Sequence, residues 1–434
     1  MTKWSFLLKK RKIICQFLKN LSTMKCYQLL ICLSVWTLCS SDNSTNNREG
    51  KLFSLFQIIQ FPNDPCVSTS RNGTCYTSDE CVSKGGSSSG TCAQGFGVCC
   101  TFSLTCGSST SENCTYLVQS GVTSVSPNPC TYTICKCSNT ICRIRFDFTI
   151  FDLAPPVLGE VSDAPVQSQG GAIGDCTSDT FSVTSPGGSG SPIICGINTG
   201  QHLIVDASDE CNVAAFSLGG IGSTSRSWDI KVTQYECNSG LGGPPGCLQY
   251  HTGSSGTISS FNFPIASSVV GPTVTHLSDQ HYNICVRQEE SKCVICYTPK
   301  IQSATPTAAA QTSFGLSLDS GADALESISG SICSADYVLI PGAQDTPLTI
   351  PGPIPAVVGA LCGRAFRVEA NAAADIYDPA SHVSVCSRLL PFQIGVHFDS
   401  DEVDVTGTGT DVNEEAKADG GIIGFSLEYQ QLAC

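Results

Sequence analysis

Cysteine, histidine and the carboxylates are the side chains here that could do chemistry, and their spacing says which chemistry each can do. The chain has 434 residues and 28 cysteines, 24 of them after residue 40 and two of those adjacent, Cys99 and Cys100. So many thiols imply an oxidising compartment and about a dozen disulfides, since a cytosolic chain would need metals or redox catalysis to employ them. Cys293-x-x-Cys296 and Cys135-x-Cys137 come nearest to metal-ligand spacing; an oxidising context favours bridges at both. The six histidines, His202, His251, His276, His281, His382 and His397, form no His-x-x-x-His or Glu-x-x-His set, so no zinc helix is expected. The string nearest to a serine nucleophile is Pro186-Gly187-Gly188-Ser189-Gly190-Ser191. It reads as a turn-rich loop, with no histidine or aspartate spaced as a triad needs. Neither catalysis nor a cofactor is expected, and a secreted hydrolase is the remote alternative.

The N-terminal 40 residues read as an upstream segment and a signal peptide. Met24-Lys25 opens a basic region and residues 27–38 form its apolar core, with cleavage expected near Cys39 to Ser41. That core is too short to cross roughly 30 Å of hydrocarbon as a helix. Lys9, Lys10, Arg11 and Lys12 would make a very long basic region, so translation from Met1 and from Met24 both stay open. Removal of residues 1–40 leaves 16 basic residues against 37 acidic ones, a charge of −21, which disfavours nucleic acid and anionic membranes as partners. No later run is apolar enough to insert in a membrane. Asn43, Asn72 and Asn113 begin N-x-Ser/Thr sequons and are expected to carry glycans. Residues 41–65 hold an apolar stretch with Leu52, Phe53, Leu55, Phe56, Ile58, Ile59 and Phe61. A strand of this kind must be covered, either by its own first sandwich or by strand exchange with a copy through residues 52–61.

The elements that position these residues are short. In residues 66–100 six cysteines crowd a Gly- and Ser-rich segment whose few apolar side chains cannot offset its chain entropy, so cross-links are expected to hold it. Residues 106–237 alternate apolar and polar positions in brief runs, as at Ile144, Phe146 and Phe148 or Phe181 and Val183, with Gly, Pro, Ser and Asn between them. That is the pattern of a β-sandwich. Residues 247–434 repeat the plan: Tyr282-x-Ile284-Cys285 echoes Tyr132-x-Ile134-Cys135, and the closing GFSLEYQQLAC echoes SWDIKVTQYEC at 227–237. Asn238 to Gly246, NSGLGGPPG, reads as a hinge between the two.

The cysteine cluster Gly73 to Cys100 resembles the clip-like modules of arthropod secreted proteins, which implies the pairs Cys66–Cys99, Cys75–Cys92 and Cys81–Cys100. CGSSTSENCTYLVQSGVTSVSPNPCTYTICKC and ICRIRFDFTIFDL resemble the opening and the central strand of a CUB domain. That resemblance implies Cys106–Cys130, Cys176–Cys195 and, in the repeat, Cys333–Cys362. The fold implied is all-β: tandem CUB-like β-sandwiches of jelly-roll type, preceded by a small disulfide-rich module. Many CUB domains bind calcium through a Glu after the central strand, an Asp beside the third cysteine and a later Asp. The matching candidates are Asp179 with Asp206 or Asp209, and Asp336 with Asp319 or Asp399, although Ala154 stands where the Glu would be. The resulting expectation is a non-enzymatic secreted glycoprotein for extracellular protein–protein interaction or structural assembly, with other extracellular proteins or its own copies as partners. The alternative is a soluble recognition or regulatory protein of body fluid that binds a protein or glycan.

Overall fold

The first cysteine cluster folds around a strand that does not stop at its border. A computed structural model describes residues 60–68, 71–157, 173–219, 225–263, 275–300, 313–316, 327–329, 333, 335–345, 359–363, 365–368, 383–400 and 422–434. The signal segment, residues 52–59, Asn43, Asp319 and His382 lie outside the described residues. The cluster contains β1 (Pro65–Val67), β2 (Asn72–Tyr76), the short helix α1 (Ser78–Ser83), β3 (Ser87–Cys92) and β4 (Gly97–Leu104). Thr77 caps α1 by accepting the Glu80 N–H at 3.2 Å, as a threonine at that position should. Cys66 bonds Cys99, Cys75 bonds Cys92 and Cys81 bonds Cys100. Only Tyr76, Phe102 and the Cys81 and Cys100 sulfurs make a small buried cluster. Phe61 reaches this knot: a Cβ on Gly97 would lie 2.8 Å from the Phe61 ring and from the Cys75 and Cys92 sulfurs, so glycine is needed there.

The first sandwich follows as β5 (Ser109–Thr110), β6 (Thr115–Val122), β7 (Cys130–Ile134), β8 (Ile141–Asp152), β9 (Asp179–Thr184), β10 (His202–Asp206), β11 (Asn212–Leu218) and β12 (Arg226–Glu236). One sheet runs β5-β7-β11-β9; the other runs β6-β12-β8-β10 and continues past β6 into β4, β2 and β1. The link is a parallel pairing of Phe102, Ser103 and Leu104 with Thr115, Tyr116 and Leu117. Between the sheets Trp228 stacks on Phe216 at 4.0 Å and donates its Nε1–H to the Tyr132 hydroxyl at 3.1 Å. Phe146, Phe148, Phe151 and Phe181 fill the rest, each contributing roughly 1.5–3 kcal/mol of burial. Bridges Cys106–Cys130, Cys135–Cys211, Cys142–Cys237 and Cys176–Cys195 staple the sandwich.

The second sandwich comprises β13 (Cys247–His251), β14 (Ser255–Ser259), β15 (Gln280–Val286), β16 (Lys292–Pro299), β17 (Phe314–Gly315), β18 (Ser327–Ser329), β19 (Tyr337–Leu339), β20 (Gln344–Asp345), β21 (Ala360–Gly363), β22 (Val385–Ser387), β23 (Gln393–Phe398) and β24 (Gly424–Ala433). Its sheets run β13-β15-β23-β19-β21-β18 and β14-β24-β16-β22-β20. The two closing strands have matching staples: Cys237 after β12 bonds Cys142 in β8, and Cys434 after β24 bonds Cys293 in β16. Cys247–Cys285, Cys296–Cys386 and Cys333–Cys362 complete eleven bridges. Cys114 and Cys137 remain thiols, where the even cysteine count predicts full pairing.

The segment read as a hinge is anchored at its middle, where Gly242 lies against the Arg143 side chain and Gly243 against the Tyr250 ring, while the residues on either side of these two glycines are exposed. Buried side chains of both sandwiches form one connected cluster.

Candidate functional site

The carboxylates singled out as calcium ligands are the natural place to begin. Asp179 starts β9 and is fully buried. Its two oxygens accept from Arg226 Nε and Nη2 at 2.8 and 3.1 Å, and the Ala154 N–H donates to it at 2.8 Å. Arg226 also donates to the Gly219 and Thr123 carbonyls. The position that would complete a calcium set thus holds an alanine, and a guanidinium stands where the cation would. Asp206 lies beyond the other end of β9, where it pairs with Arg143 and accepts the Ser189 N–H at 2.9 Å. A six-residue strand separates two such ends by roughly 17–20 Å, so Asp179 and Asp206 are not brought together. Asp209 pairs at the surface with Lys136 at 2.7 Å, a hydrogen bond that holds its carboxyl below the ordinary value.

The second sandwich repeats the arrangement with a different cation. Asp336, just before β19, is fully buried, pairs with His276 Nε2 at 2.7 Å and accepts the Asp399 N–H at 3.0 Å. In the first sandwich the donor set does not fit calcium, a hard ion that takes 6–8 oxygens; in the second, Asp399 is brought beside Asp336, and Asp319 lies outside the described residues. Among the described residues no three His, Cys, Asp or Glu side chains converge as a metal group.

The described histidines are likewise committed. His276 meets the Leu277 carbonyl with Nδ1 and Asp336 with Nε2. The nearby Ser260 hydroxyl sits on the Phe425 N–H at 3.0 Å, so the described contacts of His276 and Ser260 are with other groups. His281 and His397 face each other across β15 and β23 at 4.3 Å, and Tyr337 stacks on His397 at 4.5 Å. Ser189 and Ser191 belong to a loop over β9, where Ser191 Oγ accepts the Val183 N–H at 2.8 Å.

What the structure assembles instead is a seam between the sandwiches. Arg143 on β8 pairs with Asp206 and donates to the Cys247 and Gly242 carbonyls at 2.8 and 3.5 Å. Arg145 pairs with Asp147 at 2.7 Å and donates to the Tyr250 carbonyl at 3.3 Å. His202 Nε2 accepts the Tyr250 N–H at 3.0 Å, and the His251 ring lies 4.8 Å from that of His202. Burial, reinforced by Arg145, holds His251 down at about 4 and His202 well below its ordinary value. Farther along, Asn262 accepts the Ile197 N–H, donates its own N–H to Asn198 and caps the turn at Gly196. That glycine has φ +72°, and a Cβ there would meet Asn262 Oδ1 at 2.0 Å. Ile204, Cys247, Tyr250 and Cys285 close the seam with apolar contact. Beside it opens a cleft of about 490 Å³ lined by residues that include Ser189, Pro192, Leu248, Asp279, His281 and Asn283. Nothing in local spacing announced this seam, since His202 and His251 belong to no motif in the sequence.

The sequons differ in their surroundings. Asn72 is exposed. Asn113 uses its side-chain amide like a strand rung, accepting the Gln234 N–H at 2.8 Å and donating to the Gln234 carbonyl at 3.1 Å. A glycan on that nitrogen would compete with this pairing.

Residues 244–432 match the family model described as the animal CUB domain. No curated protein matches the chain. Among solved structures, the CUB1-EGF-CUB2 domains of rat MASP-1 align at 13% identity over 76% of this chain and 99% of that one, with a TM-score of 0.21. The corresponding human MASP-1/3 structure aligns at 14% over 73% and 99%, with a TM-score of 0.20. The chain is a disulfide-rich, all-β protein of two sandwiches, the second of which is similar to the animal CUB domain. No described helix is long and apolar enough to cross a membrane.

Proposed function

We propose that this is a non-enzymatic, secreted glycoprotein that acts through its surfaces, joining other extracellular proteins or its own copies in a structural assembly. The observation that carries this reading is the union of three modules in one body: β4 runs from the knot into the first sandwich, and the second sandwich is sealed onto the first. Eleven bridges and fixed joints suit a part that must hold its shape in a matrix. The knot is a clip-like module of the kind arthropod secreted proteins carry, residues 1–40 are removed on secretion, and Asn43 and Asn72 carry glycans. Phe61 packs on the knot of its own chain at Gly97, which favours covering the apolar stretch within the chain over donating it to a copy.

Size-exclusion chromatography with light scattering of the mature protein tests the proposal. Concentration-dependent polymers are expected, and a persistent monomer overturns assembly in favour of soluble recognition of a protein or glycan. The cleft beside the seam is the observation that favours this second reading. Deleting residues 42–61 should destabilise the monomer; loss of higher-order species alone would point to strand exchange.

A further inference from the structure

Twenty-two of the 24 cysteines after residue 40 are already bridged, and the two that are not sit around a single glutamine. Cys114 donates its N–H to Asn113 Oδ1 at 2.8 Å. The same oxygen accepts the Gln234 N–H at 2.8 Å, and Gln234 Oε1 accepts the Cys137 N–H at 2.8 Å. Gln234 Nε2 then ties down the Cys135 carbonyl at 3.0 Å. Three short hydrogen bonds therefore connect the amides of Cys114 and Cys137 through the Asn113 side chain and the backbone and side chain of Gln234. We propose that Cys114 and Cys137 form a twelfth disulfide.

The surroundings allow the closure. The ladder between β6 and β12 begins at Thr115 opposite Val232, so Cys114 stands just outside it. Its backbone, at φ +55°, can turn the sulfur without breaking a rung. Cys137 lies in the short turn between β7 and β8, exposed, while its neighbours Cys135 and Cys142 are fixed by bridges to Cys211 and Cys237. Those bridges confine the turn to the corner that holds Cys114. A disulfide needs its Cα atoms about 4.4–6.8 Å apart, so the closure asks Cys114 and the 136–140 turn to move toward each other. Burial raises both thiols above their ordinary value, and Glu112 and Glu236 add to this at Cys137.

The chemistry is thiol–disulfide exchange with an oxidant carrying a dithiol–disulfide centre. One cysteine thiolate attacks the oxidant's disulfide, forming a mixed disulfide and releasing one of its thiols. The second cysteine then displaces the other. The pair loses two electrons and two protons, and the oxidant leaves as a dithiol. The new bond would tie the entry of β6, in one sheet, to the exit of β7, in the other.

Alkylating secreted protein in denaturant without reductant, then mapping a non-reduced digest, tests this on the full chain. The expected result is no alkyl adduct and a cross-linked peptide pair containing Cys114 and Cys137. Adducts on both residues would overturn the proposal, as would a covalent dimer through either one. In Cys114→Ser, Cys137 should become the single alkylated thiol, and Cys137→Ser should expose Cys114 alone. An unmodified partner in either variant would show that the bridge lies elsewhere.

Discussion

The knot and the second sandwich are both fastened to the first sandwich, by opposite means. The knot joins mainly through backbone: β4 lends three residues to a parallel ladder with β6, and the Tyr116 hydroxyl accepts the Asn72 N–H at 2.9 Å and donates to its carbonyl at 3.1 Å. The ion pairs Arg71–Asp229 and Lys84–Glu112 lie at its margin. The second sandwich joins through side chains, with Arg143, Arg145, His202 and Asn262 reaching across to carbonyls and N–H groups. Backbone pairing carries no charge and answers little to pH. A joint built from imidazoles and guanidiniums inherits their titration. The first joint should therefore be a weld and the second a clasp that acid can loosen.

Removing a bridge from the weld should have the largest effect. Cys92→Ser is expected to cost roughly 2–5 kcal/mol and to unprotect β2, β3 and the Gly97–Cys100 half of β4 in hydrogen exchange. The Phe102–Leu104 half should stay protected with the sandwich. Unchanged protection across residues 66–100 would mean that the bridges do not hold the knot.

At the clasp, Arg143→Ala strips Asp206 of its partner and leaves the Cys247 and Gly242 carbonyls without a donor. A loss of about 3 kcal/mol is expected, at the low end for a broken buried pair because Asp206 is partly exposed. It should appear as faster proteolysis in the 238–246 segment and a melting curve that splits in two. A single unshifted transition would show that the seam does not depend on this residue.

Acid should separate the joints next. The folded seam holds His251 neutral, with a value near 4 against about 6.5 when solvated. The unfolded form therefore binds the extra proton between these values. The seam's contribution is complete above pH 6.5 and falls as pH drops toward 4, by at most roughly 3 kcal/mol, with His202 acting in the same direction. The charged or titratable groups around the pair are Arg145 with its partner Asp147, and Tyr250 and Tyr429. Melting at pH 7 and pH 4.5 should show the loss, and His202→Gln with His251→Gln should flatten it. A drop unaltered in that variant would place the acid sensitivity elsewhere.

The smallest effect belongs to Arg71, which pairs with Asp229 at 2.6 Å and lies 4.4 Å over the Tyr116 ring. Both contacts are partly exposed, so Arg71→Ala should cost no more than about 1 kcal/mol. A thermal shift equal to that of Arg143→Ala would show that the weld, too, is made of side chains.

The strands were legible because alternation marks them directly: Ile144, Phe146 and Phe148 point inward from β8 at a period of two. The repeat was legible for the same reason, in the matching closing strands. Partners across strands were not, since alternation tells which face a residue occupies and not what lies opposite. Asp179 read as a calcium ligand because Arg226, 47 residues on, could not be seen beside it. His276 on Asp336 was hidden in the same way, 60 positions apart in a chain whose loops set the approach. The continuation of β4 was signalled by Phe102 and Leu104, yet a parallel partner leaves no mark on local spacing.

Cys99 and Cys100 sit side by side on β4, and neighbouring side chains of an extended strand point in opposite directions. Their bonds to Cys66 and Cys81 thus pin the strand from both flanks. A rod held at two opposite points of its girth cannot spin. A twist applied to the knot would therefore pass along β4 into the first sandwich.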